Sequence, residues 1–471
     1  MSAPSEDPSA PAAPPDPGAG ASGHAAGAGD AVPDSPRSAA PAVGAGACDP
    51  AWGLPQVRGH IEGLDGIRAI AALMVLVFHV GIETGEALAP GVVGALLATG
   101  EMGVPLFFAL SGLLLYRPWA RSALDQAPAP PVASYLWRRA LRVLPPYWIV
   151  AAVALLLWSG DHIDAVWPWV GVLTLTFVFD TDPWWVGTGP YGLGQMWSLS
   201  VEVCFYALLP VIGVLSARAA GRAGAGADAR ARRLLLCLAG LTAVAVLSLL
   251  PQYYPEPRPY MYSWLPRCLG MFAVGMALAV VSEWAWRESA GADGPVRRLC
   301  RTLPRNATLC WALAGVCYLL AATPAAGPRF VGSSGLWISL VAMAAAMGFA
   351  FFVIAPVALR PERPGGPPPL RSGGGAWLEV FLAHPVMRYL GRISYGIFLW
   401  QFVVLYLWRE FTGEDIFSGS FWLDLVPVTL GTLLLADATY RFVERPSRRW
   451  YGAVGAQGRT RRQTRRRTPV N

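Results

Sequence analysis

The chain has very few charged residues for its length, and it has no lysine at all. Only 14% of its 471 residues are charged, whereas 54% are hydrophobic. An ordinary soluble domain carries about 25% charged residues, because its surface has to face water. Some apolar stretches, such as 234–250, contain no charged residue. This composition excludes a soluble globular protein and predicts an all-α polytopic membrane protein.

The cysteine pattern lacks the spacings that metal sites and disulfide frameworks need. The seven cysteines are scattered, with no Cys-x-x-Cys pair and no histidine at ligand spacing. We therefore interpret them as small apolar packing residues and expect no metal site.

Both ends of the chain are poor in apolar sequence. Residues 1–57 are rich in alanine, proline and glycine and contain no apolar core of a signal peptide, which predicts a disordered cytoplasmic tail. Residues 450–471 are predicted to form a second cytoplasmic tail, which is rich in arginine.

Because lysine is absent, all 37 basic residues are arginines. In membrane proteins arginine concentrates in cytoplasmic loops, where it also contacts anionic lipid. We therefore attribute the isoelectric point near 9.2 to membrane topology, and we expect no nucleic-acid partner.

Hydropathy predicts ten transmembrane helices and one shorter apolar segment. The loops after the second, fourth, sixth and eighth helices are rich in arginine, and the intervening loops contain few cations. By the positive-inside rule both termini are cytoplasmic, and we expect a multi-pass protein of the plasma membrane. The segment 166–179 is too short to span, so we predict that it is re-entrant or interfacial on the outer side. The ten predicted helices are 66–81, 102–116, 145–159, 197–216, 234–250, 264–281, 309–324, 333–357, 393–409 and 422–441.

Two ionisable residues in the first predicted helix are the strongest candidates for a functional site. Arg68 and His79 are eleven residues apart, about three turns, so they point to nearly the same helix face. His79 then lies ~16 Å from Arg68, near the middle of the membrane. A lone buried histidine is usually structural, but the face shared with Arg68 favours function. An imidazole can take a proton from a hydroxyl, and an arginine can bind phosphate.

Glu202 is a second ionisable residue within an apolar helix. The fourth predicted helix begins at Trp197 and runs inward, which places Glu202 ~7 Å into the membrane and towards His79. Its carboxylate could orient the imidazole or bind an acceptor hydroxyl, and it could equally be a structural partner for an arginine or a tryptophan. Ser111, in the second helix, is assigned no covalent role, because no Gly-x-Ser-x-Gly motif surrounds it.

Arg139 and Arg142 precede the third predicted helix at its cytoplasmic boundary. They are three residues apart and therefore lie on one helical face. Most arginines here serve as topology signals, but this pair opens on the same side as Arg68. We therefore predict that the pair clamps phosphate.

Six motifs, in order, resemble those of the acyltransferase 3 family of integral membrane O-acyltransferases. They are GLDGIRAIAALMVLVFH, VPLFFALSGLLL, RRALRVLPPYW, MWSLSVEVCFYALLP, GRISYGIFLWQ and YRFVERP. The resemblance covers about Gly63 to Arg449, so residues 58–449 are predicted to form the acyltransferase 3 transmembrane domain.

This resemblance implies transfer of an acetyl or other short acyl group from cytoplasmic acyl-coenzyme A to a hydroxyl. The hydroxyl often belongs to a cell-surface polysaccharide or a lipid-linked sugar, and some relatives acylate macrolides and similar secondary metabolites. The family's Arg-x10-His pair corresponds to Arg68 and His79, its arginine pair to Arg139 and Arg142, and its glutamate to Glu202.

The chain departs from the family pattern at two places. Relatives often have Glu-Glu-Gln-Phe-Tyr where this chain has Glu202-Val203-Cys204-Phe205-Tyr206, and often a histidine near the position of Gln401. The second departure argues against any mechanism that needs a histidine on the ninth helix. Gln401 and Trp197 are our candidates for binding the acceptor, although a structural amide at Gln401 is equally consistent with the sequence.

The combined hypothesis is that Arg68, Arg139 and Arg142 bind the phosphates of acyl-coenzyme A, which is a co-substrate and not a bound cofactor. His79 then acts as general base or transient acyl carrier, with Glu202 as its catalytic companion. The alternative from another class is a transporter or flippase for lipid-linked sugar, but the sequence has no inverted repeat with matching helix interruptions. The acceptor and the oligomeric state are left open.

Overall fold

The computed structural model describes residues 54–162, 166–221, 226–291, 294–329, 335–361 and 376–454. Within these ranges the regular structure is helical, apart from one isolated bridge between Pro55 and Pro361. A π-helical turn and further short turns continue the last helix to Gly452. The helices are α1 (Glu62–Glu83), α2 (Val92–Ala98), α3 (Gly103–Asp125), α4 (Val132–Trp158), α5 (Val166–Leu173), α6 (Trp197–Ala220), α7 (Ala227–Leu247), α8 (Leu249–Tyr253), α9 (Leu265–Ala285), α10 (Pro295–Arg305), α11 (Ala307–Ala321), α12 (Leu336–Ala358), α13 (Ala376–Leu382), α14 (Pro385–Thr412) and α15 (Phe421–Thr439).

The protein is an all-α polytopic membrane protein, as predicted. In the described part of the chain, nine helical segments are long and apolar enough to cross a membrane, and α11 is an apolar helix of 15 residues. These segments correspond in order to the ten predicted helices. Most run further than predicted, because their polar ends stay helical; the second, for example, lies within the helical stretch Val92–Asp125.

Contacts between helix ends bring the arginine-rich loops to one end of the bundle, which we call the arginine end. Arg121 near the end of α3 forms a 2.6 Å ion pair with Glu283 near the end of α9. Arg388 near the start of α14 pairs with Glu62 at the start of α1, at 2.8 Å. Long helices therefore alternate in direction. We call the other end, which carries Glu83, Glu410 and Glu414, the acidic end.

The first and last described residues also lie at the arginine end. The Gln56 N–H donates a hydrogen bond to the carbonyl of Arg360 after α12, and Arg121 donates to the carbonyl of Val57. Trp137 near the start of α4 donates to the carbonyl of Trp450. Most of the two predicted tails, 1–53 and 455–471, falls outside the described residues, but 54–57 pack on the bundle.

The short apolar segment predicted at 166–179 enters the bundle from the acidic end and returns without crossing it. Its helix α5 has eight residues, and the carbonyl of Val172 accepts a 2.6 Å hydrogen bond from Tyr147 on α4. Tyr147 lies eleven residues before the end of α4, which is ~16 Å of helix. The carbonyl of Val178 then accepts a hydrogen bond from Trp264, just before α9. The segment is therefore re-entrant.

Glycines allow two pairs of helices to pack closely. A Cβ on Gly275 of α9 would lie 1.7 Å from the carbonyl oxygen of Ala109 on α3. A Cβ on Gly391 of α14 would lie 2.0 Å from the carbonyl oxygen of Asp65 on α1. Small residues at such contacts let helix backbones approach each other in lipid. These contacts fix the helices that carry the polar residues Arg68, His79, Ser111 and Gln401.

Gly275→Ala is expected to destabilise the protein by about 1–3 kcal/mol, because even one methyl group overlaps the α3 backbone. Gly240→Ala is the matched control, since beyond its own helical backbone no atom of a described residue lies within 4 Å of a Cβ at this position of α7. Thermal unfolding in detergent, followed by tryptophan fluorescence, compares the two. Equal melting temperatures for both variants would contradict the close α3–α9 contact.

Candidate active site

Arg68 is held at the arginine end of α1 by a buried carboxylate. Its Nη1 lies 3.6 Å from Oδ1 of Asp65, one turn earlier, and the Arg68 side chain remains 26% exposed. The other carboxylate oxygen of Asp65 lies 2.7 Å from Nε2 of His60. Asp65 therefore orients Arg68 and leaves its guanidinium accessible to a ligand.

Arg139 and Arg142 of α4 meet Arg68 in what we call the arginine cluster. The charges of Arg68 and Arg142 are close enough to interact, and both also interact with Glu202 on α6. Among the described residues, neither Arg139 nor Arg142 forms an ion pair within 4 Å. The Nε of Arg139 is buried and has no hydrogen-bond partner there. The carboxylates of Glu444 and Glu202 interact with Arg142 without forming a close ion pair. Guanidinium groups that are not held in close ion pairs can bind an anion such as phosphate.

Glu202 belongs to the arginine cluster. It accepts a hydrogen bond from the hydroxyl of Ser111 on α3 and a 2.6 Å hydrogen bond from Tyr206, one turn further along α6. Within the described residues, no hydrogen bond, ion pair or charge contact joins Glu202 to His79. The sequence-based estimate took Trp197 as the membrane surface. In the structure Glu202 does not approach His79 as that estimate predicted but lies within interaction range of Arg68 and Arg142, at the arginine end.

His79 lies towards the acidic end of α1, between aromatic rings and an amide. Its ring centroid is 4.3 Å from that of Phe402 on α14 and 5.0 Å from that of Phe78. The amide of Gln401 on α14 lies close enough to interact with the imidazole, but among the described residues no hydrogen bond of normal geometry involves Nδ1 of His79 or Oε1 of Gln401. The buried Nδ1 of His79 and Oε1 of Gln401 therefore lack partners in the described chain. The imidazole is free to exchange a proton with a ligand.

Gln195 is a polar residue near this site that the sequence analysis missed. It lies in the short turn before α6, and its Nε2 donates to the carbonyls of Leu399 (3.1 Å) and Phe398 (3.4 Å) on α14. Gln401 Nε2 donates to the same Phe398 carbonyl at 3.1 Å, so the two amides meet at one oxygen. Gln195 lies two residues before the predicted helix 197–216, so the rule that singled out Glu202, a polar group inside an apolar helix, did not include it.

Aromatic side chains extend from His79 to the surface at the acidic end. The ring of Phe402 stacks on Tyr406, with centroids 5.2 Å apart, and Tyr406 stacks on Tyr191 at 4.1 Å. Tyr191 is 43% exposed, so this series reaches the surface. Burial and the nearby carboxylates of Glu83 and Glu410 raise the pKa of Tyr191, which keeps its hydroxyl protonated.

Trp197, a predicted acceptor-binding residue, lies elsewhere. The ring of Trp197 packs on that of Tyr262, with centroids 5.6 Å apart. The guanidinium of Arg267 also stacks on the Tyr262 ring, 4.0 Å from its centroid. No ring contact or hydrogen bond joins Trp197 to His79 or Gln401 among the described residues. The structure therefore does not bring Trp197 together with Gln401.

Comparison with known proteins identifies the family of this polytopic membrane protein. A family model described as an acyltransferase domain matches residues 61–441, and the chain belongs to this family, acyltransferase 3. The chain is 23% identical to peptidoglycan O-acetyltransferase OatA of Listeria monocytogenes over 412 residues, covering 83% of this chain and 56% of the relative. It is 24% identical over 405 residues to "Putative peptidoglycan O-acetyltransferase YrhL" of Bacillus subtilis, covering 83% and 55%.

The chain therefore spans little more than half the length of the curated relatives that it matches. No solved structure matches it.

Proposed function

We propose that the protein is a membrane-bound O-acyltransferase that moves an acetyl or other short acyl group from acyl-coenzyme A to a carbohydrate hydroxyl. The observation that carries this proposal is the arrangement along α1: Arg68 in a cluster of cations, and an unpartnered imidazole, His79, ~16 Å further along the helix. Membership in the acyltransferase 3 family supports the type of reaction.

The acyl donor binds with its phosphates on the arginine cluster. Arg139 and Arg142 form no ion pair within 4 Å with a described residue, and Glu444 and Glu202 interact with Arg142 only at longer range, so both guanidinium groups can bind an incoming phosphate. Glu202 acts on this side of the site, where it positions Arg68 and Arg142. By the positive-inside rule the arginine end faces the cytoplasm of a plasma-membrane protein, where acyl-coenzyme A is available. The pantetheine arm then runs along α1 towards His79.

His79 takes up the proton of the acceptor hydroxyl during the reaction. The acceptor oxygen attacks the thioester carbonyl carbon, its proton passes to the imidazole, and the C–S bond breaks. The coenzyme A thiolate leaves and takes the proton back. In the alternative in which His79 is an acyl carrier, the imidazole attacks the thioester, the C–S bond breaks, and the coenzyme A thiolate leaves with the imidazole proton. The acceptor oxygen then attacks the acyl carbon, the C–N bond to His79 breaks, and the hydroxyl proton passes to the imidazole.

The acceptor reaches His79 from the acidic end, along the aromatic series of Phe402, Tyr406 and Tyr191. Aromatic faces and the neighbouring polar groups Glu83 and Glu410 suit a sugar ring, which has apolar faces and hydroxyl edges. The name peptidoglycan O-acetyltransferase among the relatives supports a carbohydrate as acceptor.

Acetyl-coenzyme A binding and turnover by the purified protein test the donor. In lipid nanodiscs the protein is expected to bind acetyl-coenzyme A and to hydrolyse it slowly, with water in place of the acceptor. Acetyl-pantetheine, which lacks the nucleotide phosphates, is the matched control ligand and should bind at least tenfold more weakly. A folded protein that neither binds nor hydrolyses acetyl-coenzyme A would contradict the proposal and favour a carrier for lipid-linked sugar.

A further inference from the structure

We infer that Gln195, Gln401 and His79 form a hydrogen-bond-accepting subsite for the acceptor. It would bind a sugar ring with two neighbouring donors: the reacting hydroxyl, and an adjacent hydroxyl or amide N–H. The inference rests on the proposed function and assigns to Gln195 the role of positioning the acceptor.

The orientation of both amides is set by α14. Gln195 Nε2 donates to the carbonyls of Leu399 and Phe398, and Gln401 Nε2 donates to Phe398. If either amide were turned over, its oxygen would face a carbonyl oxygen and the hydrogen bonds would be lost. Each Oε1 is therefore directed away from these carbonyls.

Both amide oxygens are buried without a partner. Gln195 is 3% exposed and Gln401 is 1% exposed, and neither Oε1 accepts a hydrogen bond from any described residue. Buried polar atoms are satisfied in nearly all native structures, and lipid cannot replace the missing donor. Two such atoms on neighbouring amides, beside the unpartnered Nδ1 of His79, indicate a site that a ligand completes.

The turn that carries Gln195 lies against the rings around His79. A Cβ on Gly194 would be 3.8 Å from the ring of Phe402, and the centroid of Phe402 is 4.3 Å from that of His79. The two amides and the imidazole therefore belong to one site, reached through the aromatic series from the acidic end.

The chemistry of the unpartnered atoms selects the ligand. Amide oxygens only accept hydrogen bonds, and Nδ1 of a neutral imidazole accepts when the proton is on Nε2. The thioester carbonyl of the donor only accepts, so it does not satisfy them. A sugar hydroxyl donates, and a hydroxyl beside a second hydroxyl or an amide N–H offers two donors at once. The subsite therefore fits the acceptor better than the acyl group.

Gln195→Leu tests this inference in host membranes, with the acceptor that they contain as the probe. Transfer of label from acetyl-coenzyme A is measured while the concentration of extracted acceptor is varied. We expect KM for the acceptor to rise at least tenfold, with KM for acetyl-coenzyme A within twofold of wild type. Gln195→Met, which keeps the length of the side chain, should behave alike if Gln195→Leu folds poorly.

Ser200→Ala is the matched control on the same helix, because this buried hydroxyl already donates to the Met196 carbonyl. Both kinetic constants should stay near wild type in this variant. An unchanged acceptor KM in the folded Gln195 variants would overturn the inference, as would a rise confined to KM for acetyl-coenzyme A. Wild-type protein without transfer or hydrolysis would instead overturn the proposed function, and the subsite with it.

Discussion

His79→Gln is expected to lower the rate of acyl transfer by about 10²–10⁴-fold, the usual contribution of a positioned general base. Glutamine keeps hydrogen-bonding atoms at this position but cannot take up a proton. Because His79 packs on Phe402 and Phe78, and its neighbour Gln401 already donates to the carbonyl of Phe398, the change leaves no donor unsatisfied. The melting temperature should therefore stay near wild type. The measurement is the initial rate of label transfer from acetyl-coenzyme A.

His162→Gln is the matched control, because this histidine is exposed and its ring stacks on Trp184 in the loop at the acidic end. Its rate is expected within twofold of wild type. A folded His79→Gln protein with nearly wild-type transfer would contradict a role for His79 in proton transfer. Labelled acetyl trapped on His79 when no acceptor is present would favour the acyl-carrier mechanism over the general-base mechanism.

Arg139→Gln is expected to raise KM for acetyl-coenzyme A by about 10–100-fold. The variant loses one charge-assisted hydrogen bond to phosphate, which contributes about 1.5–3 kcal/mol. Arg139 forms no ion pair with a described residue, so its substitution leaves no carboxylate without its partner. Steady-state kinetics with varied acetyl-coenzyme A measure the effect.

Two controls separate phosphate binding from a general effect on the site. Arg138→Gln changes the neighbouring residue, which lies about 100° around α4 from Arg139, and should leave KM within twofold of wild type. Acetyl-pantetheine has no phosphate, so its KM should be the same in wild type and Arg139→Gln. An equal rise in KM for both donors would contradict a phosphate clamp at Arg139.

The helices and their direction could be predicted from sequence, because both follow from local composition. Apolar length defines each span, and the loops with arginine come together at one end of the bundle, as with Arg121, Glu283 and Arg388. The segment 166–179 is too short to form a further transmembrane helix, so its sequence already excluded one. Its depth depends on contacts with Tyr147 and Trp264, which only the folded chain reveals.

The candidate site could be predicted in part. Helical periodicity places Arg68 and His79 along α1, and proximity in sequence groups Arg139 with Arg142. Glu202 was expected near His79 but lies in the arginine cluster instead, which depends on how α6 packs against its neighbours. Gln195 was missed because it lies outside the predicted helix and its significance comes from a contact across the fold: its Nε2 and that of Gln401 meet at the carbonyl of Phe398, and both amide oxygens lack a partner among the described residues.

Sided membrane vesicles test the central claim, that an acyl group from acyl-coenzyme A at the arginine end passes to a carbohydrate through His79. Labelled acetyl-coenzyme A is added to inverted vesicles, whose cytoplasmic face is outward, and to right-side-out vesicles. We expect label in extracted carbohydrate from inverted vesicles with the wild-type chain, and almost none from right-side-out vesicles or with His79→Gln. Equal labelling from both faces, or labelling that does not depend on His79, would contradict the account.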